Sequence, residues 1–191
     1  MIRSIAPLFF VVTSAFAQDL PYREIPASPP KFTTGAVTGR MLDGVGFRFY
    51  WATEGLRDED LHFKPSAEAR SSIETIEHIH VLSLVMLNAI SGLPYKTDEN
   101  PMKLSFTELR RVTLQNLKNS SDRIKLMTDS EIEKLKIIFL RGNDKMEYPF
   151  WNALNGPIAD MLWHIGQVVT FRRSTGNPFN SNADVFTGTL N

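Results

Sequence analysis

The chain has 191 residues, which is enough for one domain with a substantial hydrophobic core. Its 21 lysine and arginine residues balance 21 aspartate and glutamate residues, so the basic surface of a nucleic-acid-binding protein is not indicated. Cysteine is absent, which excludes a catalytic thiol, a thiolate metal site and disulfide bonds. Any metal site must therefore use histidine and carboxylate ligands.

The first 17 residues are predicted to form a cleavable signal peptide. A basic start at Arg3 precedes a mostly apolar stretch from Ile5 to Ala15, and Ala15-Phe16-Ala17 fits the small-x-small cleavage pattern. The apolar stretch is too short for a stable membrane anchor. The alternative, an N-terminal strand or core helix, is disfavoured by a proline inside the stretch. We therefore expect an exported protein, periplasmic or extracellular, with no integral membrane span after cleavage.

Residues 18–32 contain four prolines and no regular period, which predicts an extended lead-in. The folded body is predicted at 33–178, and a polar tail follows at 179–191. The first helix begins after a cap at Thr33 or Thr34. Its glycines, Gly39, Gly44 and Gly46, permit close approach of a neighbouring helix. Apolar residues then recur at helical spacing: Val37, Met41, Val45, Phe49 and Ala52.

Two further helices have clear boundaries. Ser71 or Ser72 caps the second, Glu74 or Glu77 supplies first-turn acid, and Gly92 followed by Pro94 ends it. An apolar stripe runs along that helix between these limits. The third helix begins after a cap at Ser105 and extends to about residue 127. The connection at 57–70 is predicted to be polar and irregular, and residues 95–103 are predicted to form a loop.

The last predicted helix covers Ala159–Arg173. Gly156-Pro157 either starts this helix, capped by Asn155, or kinks a longer one. Before it, residues 135–140 form a short apolar run that fits a strand or an extended segment. The pair at 172–173 is interpreted as favourable charge near a helix C-terminus. Four long amphipathic segments joined mainly by polar loops predict an all-α four-helix bundle, in which metal sites are built from facing helices.

The last helix places Asp160, His164 and Gln167 on one face, at positions i, i+4 and i+7. Such a pair of ligand types also arises by chance: the aspartate is then first-turn acid, and the histidine a core residue bonded to a backbone carbonyl. Gln167 is either a donor that orients a ligand or a polar helix residue. On the second helix, His78 and His80 cannot point the same way, and periodicity does not choose between them.

Two stretches resemble a known family. RSSIETIEHI (70–79) resembles the second helix of DinB-like proteins (the DinB/YfiT superfamily), and DMLWHIGQVVTFRR followed by STGNP (160–178) resembles their fourth helix, with its H-x-x-x-H-x-G-Q pattern. The resemblance implies a DinB-like four-helix bundle that holds a divalent metal through three side chains, usually histidines. It assigns the first ligand to His78 and the last to His164, with Gly166 and Gln167 completing the motif. Asp160 stands where the family has its middle histidine.

The resemblance implies a divalent metal ion as cofactor. The carboxylate of Asp160 affects which metal is expected. Asp160 makes the site harder than three imidazoles do, so we expect zinc or nickel first, with manganese or iron as alternatives. Two histidines, one aspartate and a water leave an open position, as a catalytic site requires. The same replacement is also compatible with a site that has lost its metal.

Two functions follow from the resemblance. The first is a metal-dependent hydrolase or transferase with a small-molecule substrate that the sequence does not identify; Glu74 and Glu77 are candidate general bases by position alone. The second is a non-catalytic binding or stress-related module with a degenerate metal site. Trp51, Trp151 and Trp163 are predicted to lie in the core rather than around a substrate. A homodimer is compatible with the sequence, which does not determine the oligomeric state.

Overall fold

The computed structural model describes residues 19–98 and 103–191. The signal peptide predicted for residues 1–17 lies outside the described residues. The helices are α1 (Thr34–Thr53), α2 (Asp58–His62), α3 (Ser72–Ile90), α4 (Phe106–Leu126), α5 (Asp129–Ile132) and α6 (Ala159–Ser174), with a π-helical turn at Leu154–Ile158. The strands are β1 (Tyr95–Lys96), β2 (Lys136–Arg141), β3 (Asp144–Pro149), β4 (Ala183–Asp184) and β5 (Thr189–Leu190).

The four long helices form a closed bundle. Helices α1 and α3 each pack against both α4 and α6, so that each long helix has two neighbours around one core. The core contains side chains from all four helices, among them Leu42, Phe49, Ile76, Met86, Leu114, Leu117, Met161 and Val168. The predicted helical bundle is therefore present in the described part of the chain.

The prediction of an all-α protein omits a small sheet at one side of the bundle. Strand β1 pairs in parallel with β2, placing Tyr95 opposite Phe139, and β2 pairs antiparallel with β3 across a turn at Gly142. The apolar run at 135–140 is thus mostly strand, and the predicted loop at 95–103 contributes a strand of its own. Because β1 has only two residues, it is too short to show the alternation that identifies a strand.

The apolar stripe predicted for α1 is buried only in part. Val45, Phe49 and Ala52 are buried as predicted, whereas Val37 is 46% exposed and Met41 is 38% exposed. A glycine face of this helix also contacts α4. A Cβ placed on Gly35 would lie 2.2 Å from the carbonyl oxygen of Ile124, so the two helix backbones are in direct contact there. Hydrophobic periodicity counts apolar side chains and so does not include glycine, although a glycine forms this contact between the helices.

The segments on either side of the bundle pack against α1. The Tyr22 hydroxyl donates to Asp43 Oδ1 at 3.1 Å, and Tyr22 is buried despite its positive φ of 74°. The Ile25 N–H donates to the Gly188 carbonyl at 2.8 Å, which joins the lead-in to the turn between β4 and β5. Both ends of the described chain are therefore ordered against the same helix.

Arg172 lies in the last turn of α6, as predicted, but its charge serves the end of another helix. Its side chain is buried, and Nη1 donates to the carbonyls of Trp51, Ala52 and Glu54 at 3.1, 3.0 and 3.0 Å. These carbonyls belong to the C-terminal end of α1, where the helix itself offers no N–H partner. One guanidinium on α6 thus satisfies the end of another helix. The buried partner of this cluster, Asp60, lies on α2, in the connection predicted to be irregular.

Among the described helices, α3 is long and apolar enough to cross a membrane when judged by length and composition. In the structure its residues Ile76, Ile79 and Met86 are fully buried in the bundle. Packing on α4 and α6 therefore accounts for its apolar character.

Candidate metal centre

Three side chains from two facing helices meet at one point. His78 Nε2 on α3 lies 3.2 Å from Asp160 Oδ2 on α6, and His164 Nε2 lies 3.3 Å from Asp160 Oδ1. One donor atom from each of the three residues lies within 4.8 Å of the other two. The structure thus brings together all three residues that the sequence named as metal ligands. All three are partly buried.

The start of α3 is defined by local chemistry. The Ser71 hydroxyl accepts from the Glu74 N–H at 3.3 Å, while the Glu74 carboxylate accepts from the Ser71 N–H at 2.7 Å. This reciprocal cap satisfies two backbone donors of the first turn. His78 then follows one turn after Glu74, on the side of α3 that faces α6.

A kink precedes Asp160. The backbone of Gly156 departs from helical values, with φ −93° and ψ −110°, inside the π-helical turn Leu154–Ile158, and Pro157 follows it. Proline lacks the N–H that would continue the hydrogen-bond ladder, which explains a break at this place. Of the two alternatives left by the sequence, a kinked longer helix is observed, and no side chain caps the start of α6.

Gln167 fixes the orientation of His164. His164 Nδ1 lies 2.8 Å from Gln167 Oε1, so Nδ1–H donates to the amide oxygen. The lone pair is then on Nε2, the atom that faces Asp160. This is the arrangement by which neighbouring side chains orient histidine ligands. Gln167 thus contacts one of the predicted ligands, and it accepts the hydrogen bond rather than donating it.

The other histidines point elsewhere. His80 Nδ1 lies 3.0 Å from the Thr113 hydroxyl on α4, and burial lowers the pKa of His80. His62 Nδ1 donates to the Asp58 carbonyl at 2.8 Å at the exposed end of α2. His78 is therefore the histidine of α3 that belongs to the cluster. Tertiary packing makes the choice that periodicity left open.

The surroundings of His78 favour its neutral form. Burial lowers the pKa of His78, and the nearby charges of Arg70 and His164 act in the same direction; Asp160 opposes them only in part. A neutral imidazole keeps a lone pair available to a metal ion at a lower pH than an exposed histidine does.

The spacing of the three donors fits a small divalent ion. Two ligands about 2.0–2.1 Å from zinc at tetrahedral angles lie about 3.4 Å apart. Each imidazole lies near this distance from one carboxylate oxygen, His78 Nε2 at 3.2 Å from Oδ2 and His164 Nε2 at 3.3 Å from Oδ1, and one donor atom from each residue lies within 4.8 Å of the other two. Within the described part of the chain no fourth histidine or carboxylate joins the group. If the three residues held a tetrahedral ion, one position would be left for water or substrate.

A cavity of about 760 Å³ opens beside the cluster. His78 and Asp160 lie in its wall together with mainly apolar and aromatic residues, among them Val81, Leu82, Tyr95, Phe139 and Trp163. Burial raises the pKa of Tyr95, so its hydroxyl stays protonated at neutral pH. Tyr95 was not predicted, because its position depends on the pairing of β1 with β2.

The tryptophan prediction is correct only for Trp51, which is buried. Trp163 is 74% exposed and Trp151 is 76% exposed. Trp163 lies three residues after Asp160 on α6, so it shares the helix face of the cluster and extends over the cavity. The i, i+3 spacing from Asp160 would have placed Trp163 on the helix face of the cluster from the sequence alone.

Neither candidate general base reaches the cavity. The Glu74 carboxylate accepts two hydrogen bonds from Ser71 and lies 3.3 Å from Lys64 Nζ. The hydrogen bond from the Ser71 backbone, with the others, lowers the pKa of Glu74 to about 2. Glu77 is exposed and does not line the cavity. Glu74 therefore serves the helix cap, and neither glutamate lines the cavity beside the cluster.

Comparison with known proteins gives one structural similarity. No protein-family model matches the sequence, and no curated protein matches it. The chain is similar to the crystal structure of a DinB-like protein from Bacillus subtilis, at 13% identity and a TM-score of 0.47, over 69% of this chain and 92% of that one.

Proposed function

We propose that the protein binds one divalent metal ion through His78, Asp160 and His164 and is an exported metal-dependent hydrolase or transferase. The observation that carries the proposal is that one donor atom from each of the three residues lies within 4.8 Å of the other two, beside an open cavity. Zinc or nickel suits two imidazoles and one carboxylate best; manganese and iron are the alternatives.

A bound divalent ion supplies Lewis acidity at its open position. Residues of the chain orient the proposed ligands around that position and favour the neutral form of His78. Gln167 holds the His164 ring with Nε2 directed at Asp160, and burial keeps His78 neutral. The Tyr95 hydroxyl is available as a hydrogen-bond donor to a polar group of a substrate in the cavity.

The cavity favours a small, neutral and largely apolar substrate. Its described lining contains no lysine, arginine or glutamate, and its aromatic residues offer flat apolar surfaces. Hydrolysis suits an exported protein better than transfer to a low-molecular-weight thiol, because such thiols are kept chiefly inside cells. We therefore favour an ester or amide with an apolar substituent as the substrate class.

The test is metal analysis of the purified protein, followed by hydrolase and thiol-transfer screens. We expect about one divalent ion per chain in the wild type, a strong loss in His78→Ala, and no loss in His80→Ala. His80 is the matched control, because it lies two residues away on α3 and bonds to Thr113 instead. Equal metal content in all three proteins would contradict the proposed site.

A non-catalytic bundle is the second candidate, and one observation favours it. Asp160 is within hydrogen-bond distance of His78 Nε2, so the carboxylate and imidazole satisfy each other without an ion. Under this function the cluster holds α3 against α6 and contributes to stability alone. A wild-type protein that remains metal-free after incubation with zinc and nickel, yet folds fully, would support it over the enzyme.

A further inference from the structure

The cavity beside the metal centre follows one face of α3. His78 lines it together with Val81, Leu82 and Val85. These three positions come one to two helical turns after His78, which places all four on the same side of the helix. Two turns of α-helix rise about 10 Å, so the cavity has an apolar wall about 10 Å long that begins at the cluster.

A pair of aromatic rings forms another part of the wall. Tyr95 of β1 lies opposite Phe139 of β2, and the two ring centroids are 6.3 Å apart with the ring planes at 82°. The Phe139 ring makes a second contact of this kind with Tyr148 of β3, at 6.2 Å and 76°. In such T-shaped pairs the edge of one ring meets the face of the other. Contacts within the sheet therefore hold the Tyr95 and Phe139 rings where they line the cavity.

Trp163 lines the same cavity with an unpaired ring. Its side chain is 74% exposed, and within the described part of the chain no other aromatic ring pairs with it. Trp51, by contrast, is buried and makes edge contacts with Phe47 and Tyr50. An indole is among the largest apolar surfaces that a side chain can bury. The Trp163 ring is therefore available to a planar group that enters the cavity.

The lining favours an aromatic group over a charged or saturated one. Among the described residues no lysine, arginine or glutamate lines the cavity, and its one aspartate, Asp160, belongs to the cluster. A charged substituent away from the cluster would leave water without gaining an ionic partner. An aromatic ring gains from stacked or edge contacts with other rings beyond the burial of its area, whereas a saturated ring of the same size does not.

We propose that Trp163, Tyr95 and Phe139 form an aromatic subsite, which makes the metal centre specific for substrates that carry a single aromatic ring. The inference rests on the proposed function, because the ring belongs to the ester or amide that this centre would bind. The volume of about 760 Å³ leaves room for the reacting group at the cluster and the ring beyond it. Trp163 is the main specificity-determining residue, since its indole lies about one helical turn from Asp160 and pairs with no other ring of the described chain.

The first test compares two neutral amides of similar shape, acetanilide and N-cyclohexylacetamide, by calorimetric titration. Binding requires no turnover, so protein loaded with zinc and protein treated with a chelator are both measured. Acetanilide is expected to bind with a Kd on the order of 1 mM. It should bind roughly two- to tenfold more tightly than the cyclohexyl compound in both forms of the protein.

Variants of the two exposed tryptophans locate the binding site. Trp163→Leu should weaken acetanilide binding severalfold and remove the preference for the aromatic probe, whereas Trp163→Phe should keep most of that preference. Trp151→Leu is the matched control, because Trp151 is 76% exposed and does not line this cavity. Both indoles are exposed, so neither leucine variant should lower the melting temperature. In NMR spectra, acetanilide should shift the indole N–H resonance of Trp163 and leave those of Trp51 and Trp151 in place.

A failure of this inference can be told from a failure of the metal site. A wild type that binds no metal, yet prefers acetanilide through Trp163, would support the aromatic subsite and contradict the metal proposal. Equal affinity of the wild type for the two amides would overturn the inference and leave the metal proposal standing. Unchanged acetanilide affinity in Trp163→Leu would overturn it in the same way, as would the absence of any binding heat up to the solubility limit of acetanilide.

Discussion

Asp160 Oδ2 on α6 lies 3.2 Å from His78 Nε2 on α3, although the two residues are 82 positions apart in the chain. Its other oxygen, Oδ1, lies 3.3 Å from His164 Nε2, one helical turn further along α6. A single carboxylate therefore links both imidazoles. This makes Asp160 the residue on which the metal proposal depends most directly.

Replacing Asp160 tests whether it is a ligand. Asp160→Ala should sharply lower metal content, whereas Asp160→His should keep or tighten binding, because imidazole is also a good ligand for zinc and nickel. The measurement is metal stoichiometry by mass spectrometry, with folding matched by circular dichroism. Asp58→Ala, at an exposed position on α2, is the control.

If Asp160 is only a first-turn acid, the outcome differs. Both substitutions would then leave metal content unchanged, and Asp160→Ala would cost about 0.3–1 kcal/mol of folding free energy. That result would remove Asp160 from the site and leave two ligands, too few for the catalytic proposal.

Gln167 should matter for metal affinity without touching the ion. Gln167→Leu removes the acceptor for His164 Nδ1–H and frees the ring to rotate or change tautomer. We expect metal affinity to fall roughly 10–100-fold. Gln167→Glu keeps an acceptor and should restore most of it. Nitrogen NMR of the imidazole should report the change of tautomer in Gln167→Leu directly.

The control for this experiment is Gln115→Leu. Gln115 is exposed on α4 and bonds only to Asn119, so its loss should not affect metal binding. A Gln167→Leu protein that binds metal as tightly as the wild type, with His164 in the same tautomer, would show that Gln167 is only a polar helix residue.

Asp60 should make the free energy of unfolding depend on pH. Burial alone would raise the pKa of Asp60, but hydrogen bonds from Arg57, Thr175 and Asn177 outweigh it and hold the pKa well below its usual range. A carboxyl with a lowered folded-state pKa stabilises the fold above its unfolded pKa of about 3.9. That contribution is lost as the pH falls through the folded-state pKa.

Urea unfolding of Asp60→Asn checks this expectation. The variant should be less stable than the wild type at pH 7, and the difference should shrink as the pH falls below about 4. Asp58→Asn is the control, because that carboxylate is exposed two residues away. A difference that is constant from pH 7 to pH 2.5 would show that the charge of Asp60 does not contribute.

Two glycines should respond to alanine in opposite ways. A Cβ at Gly35 would lie 2.2 Å from the Ile124 carbonyl oxygen, so Gly35→Ala must separate α1 from α4. We expect a loss of about 1–3 kcal/mol in the free energy of unfolding. Nothing lies within 4 Å of a Cβ at Gly166, and Gly166→Ala should gain up to about 1 kcal/mol through helix propensity.

Thermal or urea unfolding of the two variants measures both effects. Equal destabilisation by the two substitutions would mean that Gly166 is constrained by something other than packing. Since Gly166 belongs to the motif that resembles DinB-like proteins, a loss of metal binding in a stabilised Gly166→Ala protein would point to such a constraint at the site.

Local sequence determined the features that depend on near neighbours in the chain. The cap at Ser105 appears where it was predicted, and Thr33, Ser71 and Glu74 are each one of the two alternatives that the sequence offered. The spacing of Asp160 and His164 placed both on one face of α6, because four residues make about one helical turn. These relations involve a few adjacent residues and hold in any packing of the helix.

Tertiary packing decided everything that depends on how the helices are rotated against each other. His78 lies on the side of α3 that contacts α6 and therefore belongs to the cluster, whereas His80 lies on the side that contacts α4. At Gly35 the backbone of α1 lies directly against Ile124 of α4.

Dependence on tertiary packing also explains two contacts that the sequence did not predict. Arg172 binds the end of α1 from a helix more than 100 positions away, with separations of 118 to 121 residues to its three carbonyl partners. Tyr95 reaches the cavity of the metal centre only because β1 pairs with β2. Hydrophobic period and local spacing describe one element at a time, and these contacts form only when separate elements pack together.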